Sequence, residues 1–131
     1  NYRCGTGHSV SFVGNVHEGL HALNGRNTTL MRPGMIVTDE PGVYETDLVG
    51  IRIENELVCV HKADNQYGTF LGFEPIMFVP IATSPIVPGV LTKDELDWLN
   101  NYHRQVFEKL APRLNDEERE WLAKKCAAIG C

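Results

Sequence analysis

The stretch from Gly50 to His61 alternates between apolar and polar side chains, and this limits the possible folds more than any other feature. Successive side chains of a β-strand point to opposite faces, so the alternation predicts a strand with one buried face. Arg52 and Glu54 are predicted to lie on the opposite face. The predicted buried face consists of Ile51, Ile53, Leu57 and Cys59.

Three further segments are predicted to be extended. Val13–Val16 and Met35–Thr38 are short apolar runs, and the second follows a turn at Arg32–Gly34. Residues 69–81 form a longer apolar run that is interrupted by two prolines, which cannot donate to a strand ladder. The first two thirds of the chain are therefore predicted to be rich in β-structure.

The last third is predicted to be helical. Thr92 and Glu95 have the spacing of a capping box, and a second acidic helix start lies at Asn115–Glu118. His103 interrupts the apolar stripe of the first helix. The predicted buried positions are Leu96, Leu99, Val106 and Leu110 in the first helix, and Trp121, Leu122, Cys126 and Ile129 in the second. Strands followed by helices predict an α+β fold.

Composition excludes several classes of function. The 131 residues carry a formal net charge of -5, which argues against a general nucleic-acid binder. No apolar stretch approaches the ~20 residues that a membrane-spanning helix needs. Four cysteines without a C-x-x-C pair favour a reduced, intracellular chain over a disulfide framework. The first residue is Asn1, so we expect that a leader was removed or that the chain was cut from a longer protein.

Two carboxylates lie in or beside apolar segments that are predicted to be strands. Glu40 follows the run at Met35–Thr38, and Glu54 lies inside the alternating stretch. A buried carboxylate must be paired, protonated or bound to a cation. With His8 the two glutamates form a nitrogen and oxygen ligand set that suits divalent metals, but three ligands do not complete a two-metal site. Glu54 paired with Arg52, and Glu40 exposed at a strand end, remain alternatives.

Several blocks of the sequence closely resemble the catalytic domain of aminopeptidase P, the Xaa-Pro aminopeptidase of the pita-bread metallopeptidase superfamily. They are GTGHSVSFVGNVHEG, PGMIVTDEPGVYE, GIRIENELV, LGFEPIMFVPI and LTKDELDWLNNYH, and the last two are most similar to the eukaryotic cytosolic form. The resemblance implies that residues 1–91 are the second half of the catalytic domain and that residues 92–131 are a helical extension packed on it.

The resemblance also implies a role for individual residues. His8, Glu40 and Glu54 correspond to ligands of two divalent ions, normally Mn²⁺, and Glu40 also to the general base. His17 and Arg52 correspond to residues that bind the substrate and assist catalysis. The family removes an N-terminal residue that is followed by proline. Two aspartate ligands are expected upstream of Asn1, so this chain alone is expected to hold metal weakly and to cleave little or nothing.

The chain also departs from the family pattern. Cys4 stands where a substrate-binding histidine is expected, and Ser9 and Ser11 replace glycines that permit close approach or positive φ. A second hypothesis is therefore an impaired homologue that acts as a binding or assembly protein. The resemblance further implies a cytoplasmic protein that forms a homodimer through the C-terminal region, where Trp98 is one of several aromatic residues.

Overall fold

The computed structural model describes residues 4–87 and 89–130, and it confirms the predicted α+β class. The chain forms two compact units, one that ends at Met77 and one that starts at Phe78. The first contains all of the strands in the described residues, and the second contains the helices. No helix in the described part of the chain has the length and apolar character needed to span a membrane.

The first unit contains two antiparallel sheets. Its strands are β1 (Ile36–Asp39), β2 (Gly42–Glu45), β3 (Val49–Arg52), β4 (Asn55–Asn65) and β5 (Gly68–Pro75). One sheet has the order β1-β4-β5, and β2 and β3 form a separate hairpin. Val37 on β1 and Cys59 on β4 are buried, so the larger sheet contributes these two positions to the core.

The predicted single strand from Gly50 to His61 is wrong, because the structure divides it into β3 and β4. β3 pairs with β2, whereas β4 pairs with β1 and β5, so the chain passes from one sheet to the other at Ile53 and Glu54. Ile53 is 51% exposed and Glu54 is also exposed. The expectation that Glu54 lies within an apolar strand is therefore wrong as well.

The predicted strand at Val13–Val16 is also wrong, because this stretch contains bends and belongs to no strand. Gly14 has a φ of 131°, a conformation that interrupts an extended strand. The Val13 amide donates to the Ser11 hydroxyl at 3.1 Å, which closes a local turn. Val13 is 80% exposed, so this apolar side chain is not part of the core of the first unit.

The second unit consists of α1 (Lys93–Leu110), a short 3₁₀ turn (Ala111–Arg113) and α2 (Asp116–Lys125). Both helices begin at the predicted positions, and the predicted capping box at Thr92 is present. Asn115 at the predicted acidic start also forms a capping box, with Glu118. Each cap satisfies amide groups that the first helical turn leaves without partners.

The core of the second unit is formed by Tyr102, Val106 and Leu122. The prediction that Trp121 is buried is wrong, because it is 56% exposed and lies beside Lys125. Successive helical residues are about 100° apart, so one narrow face of α2 buries Leu122 and leaves its neighbour outside. Ile129 lies beyond the end of α2, where its backbone exchanges two hydrogen bonds with the Asn100 side chain.

Candidate functional site

A segment before the first strand positions the candidate site. Thr38 N–H donates to His8 O at 2.9 Å, and Glu40 N–H donates to Thr6 O at 2.7 Å, so residues 6–9 pair with β1. A Cβ on Gly7 would lie 2.0 Å from the Thr38 carbonyl oxygen, so only glycine allows this approach. The pairing brings the side chains of His8 and Glu40 together.

The imidazole of His8 and the carboxylate of Glu40 lie next to each other. His8 Nε2 is 3.0 Å from Glu40 Oε1, and the two side chains are 20% and 16% exposed. His8 Nδ1 lies 2.9 Å from the Ser9 carbonyl oxygen, which can only accept, so Nδ1 carries the proton. Nε2 of His8 therefore faces the carboxylate, where it can either donate a second ring proton to Glu40 or bind a cation.

This arrangement fits metal ligation. Histidine ligands usually donate their second ring N–H to a carbonyl or carboxylate, which fixes the tautomer and the ring orientation. His8 makes that bond to Ser9. The nitrogen of His8 and the oxygens of Glu40 are a ligand set that suits borderline divalent cations. These two side chains are therefore suited to form part of a metal centre.

Arg52 lies at the end of β3, and its side chain contacts the Glu40 carboxylate. Its Nη1 forms an ion pair with Glu40 Oε2 and also donates to the Glu40 carbonyl oxygen at 2.6 Å. The β2–β3 hairpin brings the two residues together, because Arg52 pairs with Gly42, two residues after Glu40. The predicted site residue Arg52 therefore contacts Glu40 directly.

The remaining predicted residues are placed differently. The His17 ring lies 4.1 Å from the His8 ring, centroid to centroid, and its side chain is exposed. Cys4 is a partly exposed free thiol. Glu54 lies between β3 and β4, and within residues 4–87 and 89–130 no three His, Cys, Asp or Glu side chains converge to hold a metal. The role of Glu54 as a ligand stays a prediction.

Two residues of the site were missed by sequence reasoning. Thr38 Oγ1 donates to Glu40 Oε1 at 2.8 Å, and the Tyr44 hydroxyl accepts from Arg52 Nε at 2.7 Å. The first contact has a local signal, because residues i and i+2 of a strand share a face. The second needs the hairpin register: Tyr44 pairs with Gly50, which makes Arg52 its diagonal neighbour.

The replacement of two glycines by serine does not strain the backbone. Asp47 is the only residue other than glycine with a positive φ in the described chain, so Ser9 and Ser11 do not need glycine's freedom. Ser9 is buried, and its hydroxyl donates to the Glu18 carbonyl oxygen, so its side chain is accommodated.

Comparisons with known proteins show the family of this chain. The sequence profile of "Metallopeptidase family M24" matches residues 1–61, and that of "C-terminal region of peptidase_M24" matches residues 69–129. The chain belongs to metallopeptidase family M24. Aminopeptidase P2 of Arabidopsis thaliana is 46% identical over 129 residues, covering 93% of this chain and 18% of that protein. Aminopeptidase P1 of Lotus japonicus is 42% identical over 137 residues, covering 99% and 20%.

A solved structure extends the likeness to the fold. The crystal structure of X-prolyl aminopeptidase from Caenorhabditis elegans, described as a cytosolic enzyme with a di-nuclear active site, matches with a TM-score of 0.81 and 38% identity. The match covers 95% of this M24 chain and 21% of the other. The predicted resemblance to aminopeptidase P and the predicted pita-bread fold class are confirmed. The M24 chain spans about a fifth of the length of these relatives.

Proposed function

We propose that this M24 chain supplies part of the active site of a metal-dependent aminopeptidase that releases the N-terminal residue from peptides with proline in the second position. The observation that carries the proposal is the pairing of His8 Nε2 with Glu40 Oε1, with His8 Nδ1 held by the Ser9 carbonyl oxygen so that Nε2 faces the carboxylate. The similarity to aminopeptidases P supports the substrate class.

The proposed cofactor is a pair of divalent ions, with Mn²⁺ as the expected metal. His8, Glu40 and Glu54 are the proposed ligands in this chain, and two aspartates from preceding residues of a longer protein complete the set. When bound, such a pair lowers the pKa of a water molecule and polarises the scissile carbonyl. The mixed nitrogen and oxygen ligands suit this type of metal.

The side chains of this chain then have separate tasks. Glu40 accepts the proton of the attacking water, since its carboxylate is held in place from both oxygens by Thr38 and Arg52. Arg52 keeps the carboxylate oriented and stabilises charge near the substrate. His17, exposed and next to His8, binds the peptide and assists departure of the amine. Cys4 is the proposed contact in the remaining substrate position.

The test uses the full-length protein with matched peptides that carry proline or alanine in the second position. We expect cleavage of the proline peptide only, loss of activity after chelation and recovery with Mn²⁺. Glu40→Gln should lower turnover by roughly 10²–10⁴-fold, the usual contribution of a general base. Glu45→Gln, an exposed carboxylate on β2, is the control and should change little.

Two outcomes would contradict this function: metal-saturated full-length protein that cleaves neither peptide, or a Glu40→Gln variant as active as the control. The 131-residue chain alone is proposed to be inactive, because its described residues hold no complete ligand set. Turnover by the isolated chain with Mn²⁺ would overturn that part of the proposal.

A second candidate function, an impaired homologue that binds or assembles, is favoured by one observation. Cys4 is a free thiol in a position where histidine is expected, and a thiol is only a weak hydrogen-bond donor. Backbone strain at Ser9 and Ser11 does not add to this candidate, since neither residue has a positive φ. Cys4→His in the full-length protein should raise turnover sharply if the thiol limits catalysis, and unchanged turnover would remove this candidate.

We also propose a cytoplasmic homodimer that associates through the C-terminal region. Trp98 on α1 is 61% exposed, and its ring stacks on the buried Tyr102 ring with 5.8 Å between the centroids, so much of the Trp98 side chain lies outside the core of the second unit. Sedimentation of Trp98→Asp against the parent tests the interface: we expect a monomer, and unchanged association would rule out this surface. The free thiols Cys4, Cys59 and Cys126 are consistent with a reducing compartment.

A further inference from the structure

One buried hydroxyl contacts two of the three candidate metal ligands, His8 at its backbone and Glu40 at its carboxylate. Thr38, on β1, is 2% exposed. Its Oγ1 accepts from the backbone N–H of His8 at 3.0 Å and donates to Glu40 Oε1 at 2.8 Å. Two residues that are 32 positions apart in the sequence are thus joined through a single oxygen atom.

The direction of both bonds is fixed by chemistry. A hydroxyl has one proton and two lone pairs, whereas a backbone N–H can only donate and an ionised carboxylate can only accept. The proton of Thr38 must therefore point to Glu40, and a lone pair must face the amide of His8. Because Thr38 is buried, water cannot readily take its place.

The contact also decides which carboxylate oxygen faces His8. Glu40 Oε1, which accepts from Thr38, is the oxygen that lies 3.0 Å from His8 Nε2, while Oε2 is taken by Arg52. A carboxylate held at both oxygens cannot rotate freely. Hydrogen-bond partners behind a ligand commonly change metal affinity or activity by 10–100-fold.

We propose that Thr38 is a positioning residue of the metal centre, holding the His8 segment and the Glu40 carboxylate in the geometry of ligation. This inference rests on the proposed metal-binding function. Thr38 touches neither metal nor substrate and acts through its two partners. A threonine that served only strand packing would be replaceable by valine, which has nearly the same shape and favours strands.

The experiment compares variants that differ by one group in the full-length protein, with metal removed and Mn²⁺ affinity measured by calorimetry. Thr38→Val exchanges the hydroxyl for a methyl group and should weaken Mn²⁺ binding by about 10–100-fold. Thr38→Ser keeps the hydroxyl and should bind nearly as tightly as the parent. Thr69→Val removes an exposed hydroxyl that donates to Asp64 at 2.7 Å, and this control should leave Mn²⁺ affinity unchanged.

A second pair keeps the test decisive if Thr38→Val does not fold, as circular dichroism would reveal. Thr38→Ser and Thr38→Ala both lack the methyl group and differ only in the hydroxyl, so the inference requires that serine bind Mn²⁺ more tightly than alanine. Equal affinities in either pair would overturn the role of Thr38. Parent protein that binds no Mn²⁺ would instead refute the metal-binding function itself.

Discussion

Gly7→Ala should separate the segment that carries His8 from the first strand of the sheet. The added Cβ would lie 2.0 Å from the Thr38 carbonyl oxygen, whereas real Cβ atoms essentially never approach closer than 3.0 Å. The clash is with backbone, so a side-chain rotation cannot relieve it. The two backbones must therefore move apart by about 1 Å.

A shift of this size breaks the pairing on either side of Gly7. The hydrogen bond from Glu40 N to Thr6 O measures 2.7 Å and that from Thr38 N to His8 O measures 2.9 Å, so both would pass the usual limit. Two such bonds at ~1 kcal/mol each predict a loss of about 2 kcal/mol of stability. Forcing a methyl group into a packed site adds roughly 1–3 kcal/mol.

The assay measures the urea midpoint and Mn²⁺ affinity of the full-length protein. Gly5→Ala is the matched control from the same segment, because a Cβ added there would meet no atom within 4 Å beyond its chain neighbours. Alanine at a compatible position is neutral or stabilises by about 0.4–1 kcal/mol through the unfolded chain. We expect loss of both stability and Mn²⁺ affinity in Gly7→Ala alone. Equal midpoints and equal affinities in the two variants would refute the close-approach argument.

Three further changes have defined outcomes. Tyr44→Phe removes the hydroxyl that accepts from Arg52 and should lower turnover by roughly tenfold, the equivalent of ~1.4 kcal/mol, measured with a proline peptide. Desolvation lowers the pKa of His103 below 6.5, so the unfolded state takes up a proton first as the pH falls. The stabilisation that comes from a neutral, buried His103 should be complete above pH 6.5. It should be lost as the pH falls below that value, which melting curves at several pH values would measure, and His103→Gln should reduce this pH dependence. Asn115→Ala removes an N-cap and should cost about 1 kcal/mol in denaturation, against little change for the exposed Asn101→Ala.

The sequence predicted the features that depend on neighbouring residues. Both helix starts are confirmed because their signals lie within four consecutive residues: the capping box that begins at Thr92 and the acidic turn that begins at Asn115. The turn before β1 and the existence of β1 and β5 were predicted for the same reason. The resemblance also identified His8 and Glu40, which the structure brings to 3.0 Å of each other.

The features that were missed depend on which strand pairs with which. The alternation continues across Ile53 and Glu54, because the residues predicted to be buried in β3 and β4 all fall on odd-numbered positions. No local signal therefore marks the change of sheet. The pairing of residues 6–9 with β1 depends on backbone hydrogen bonds between residues about 30 positions apart in the sequence. Hydrophobic periodicity does not report such partners, and so it could not predict the contact between Thr38 and His8.

The two carboxylates that look alike in the sequence are accommodated in different ways. Glu40 is mostly buried, and groups of this chain balance it: Arg52 at one oxygen and the Thr38 hydroxyl at the other. Glu54 is exposed in the two-residue connection between β3 and β4, where its carboxylate is accessible to water. A bound cation is therefore not needed to explain the fold around either residue. Since neighbours hold the carboxylate of Glu40 in place, a cation that binds there meets a carboxylate that is already oriented, which lowers the entropic cost of ligation.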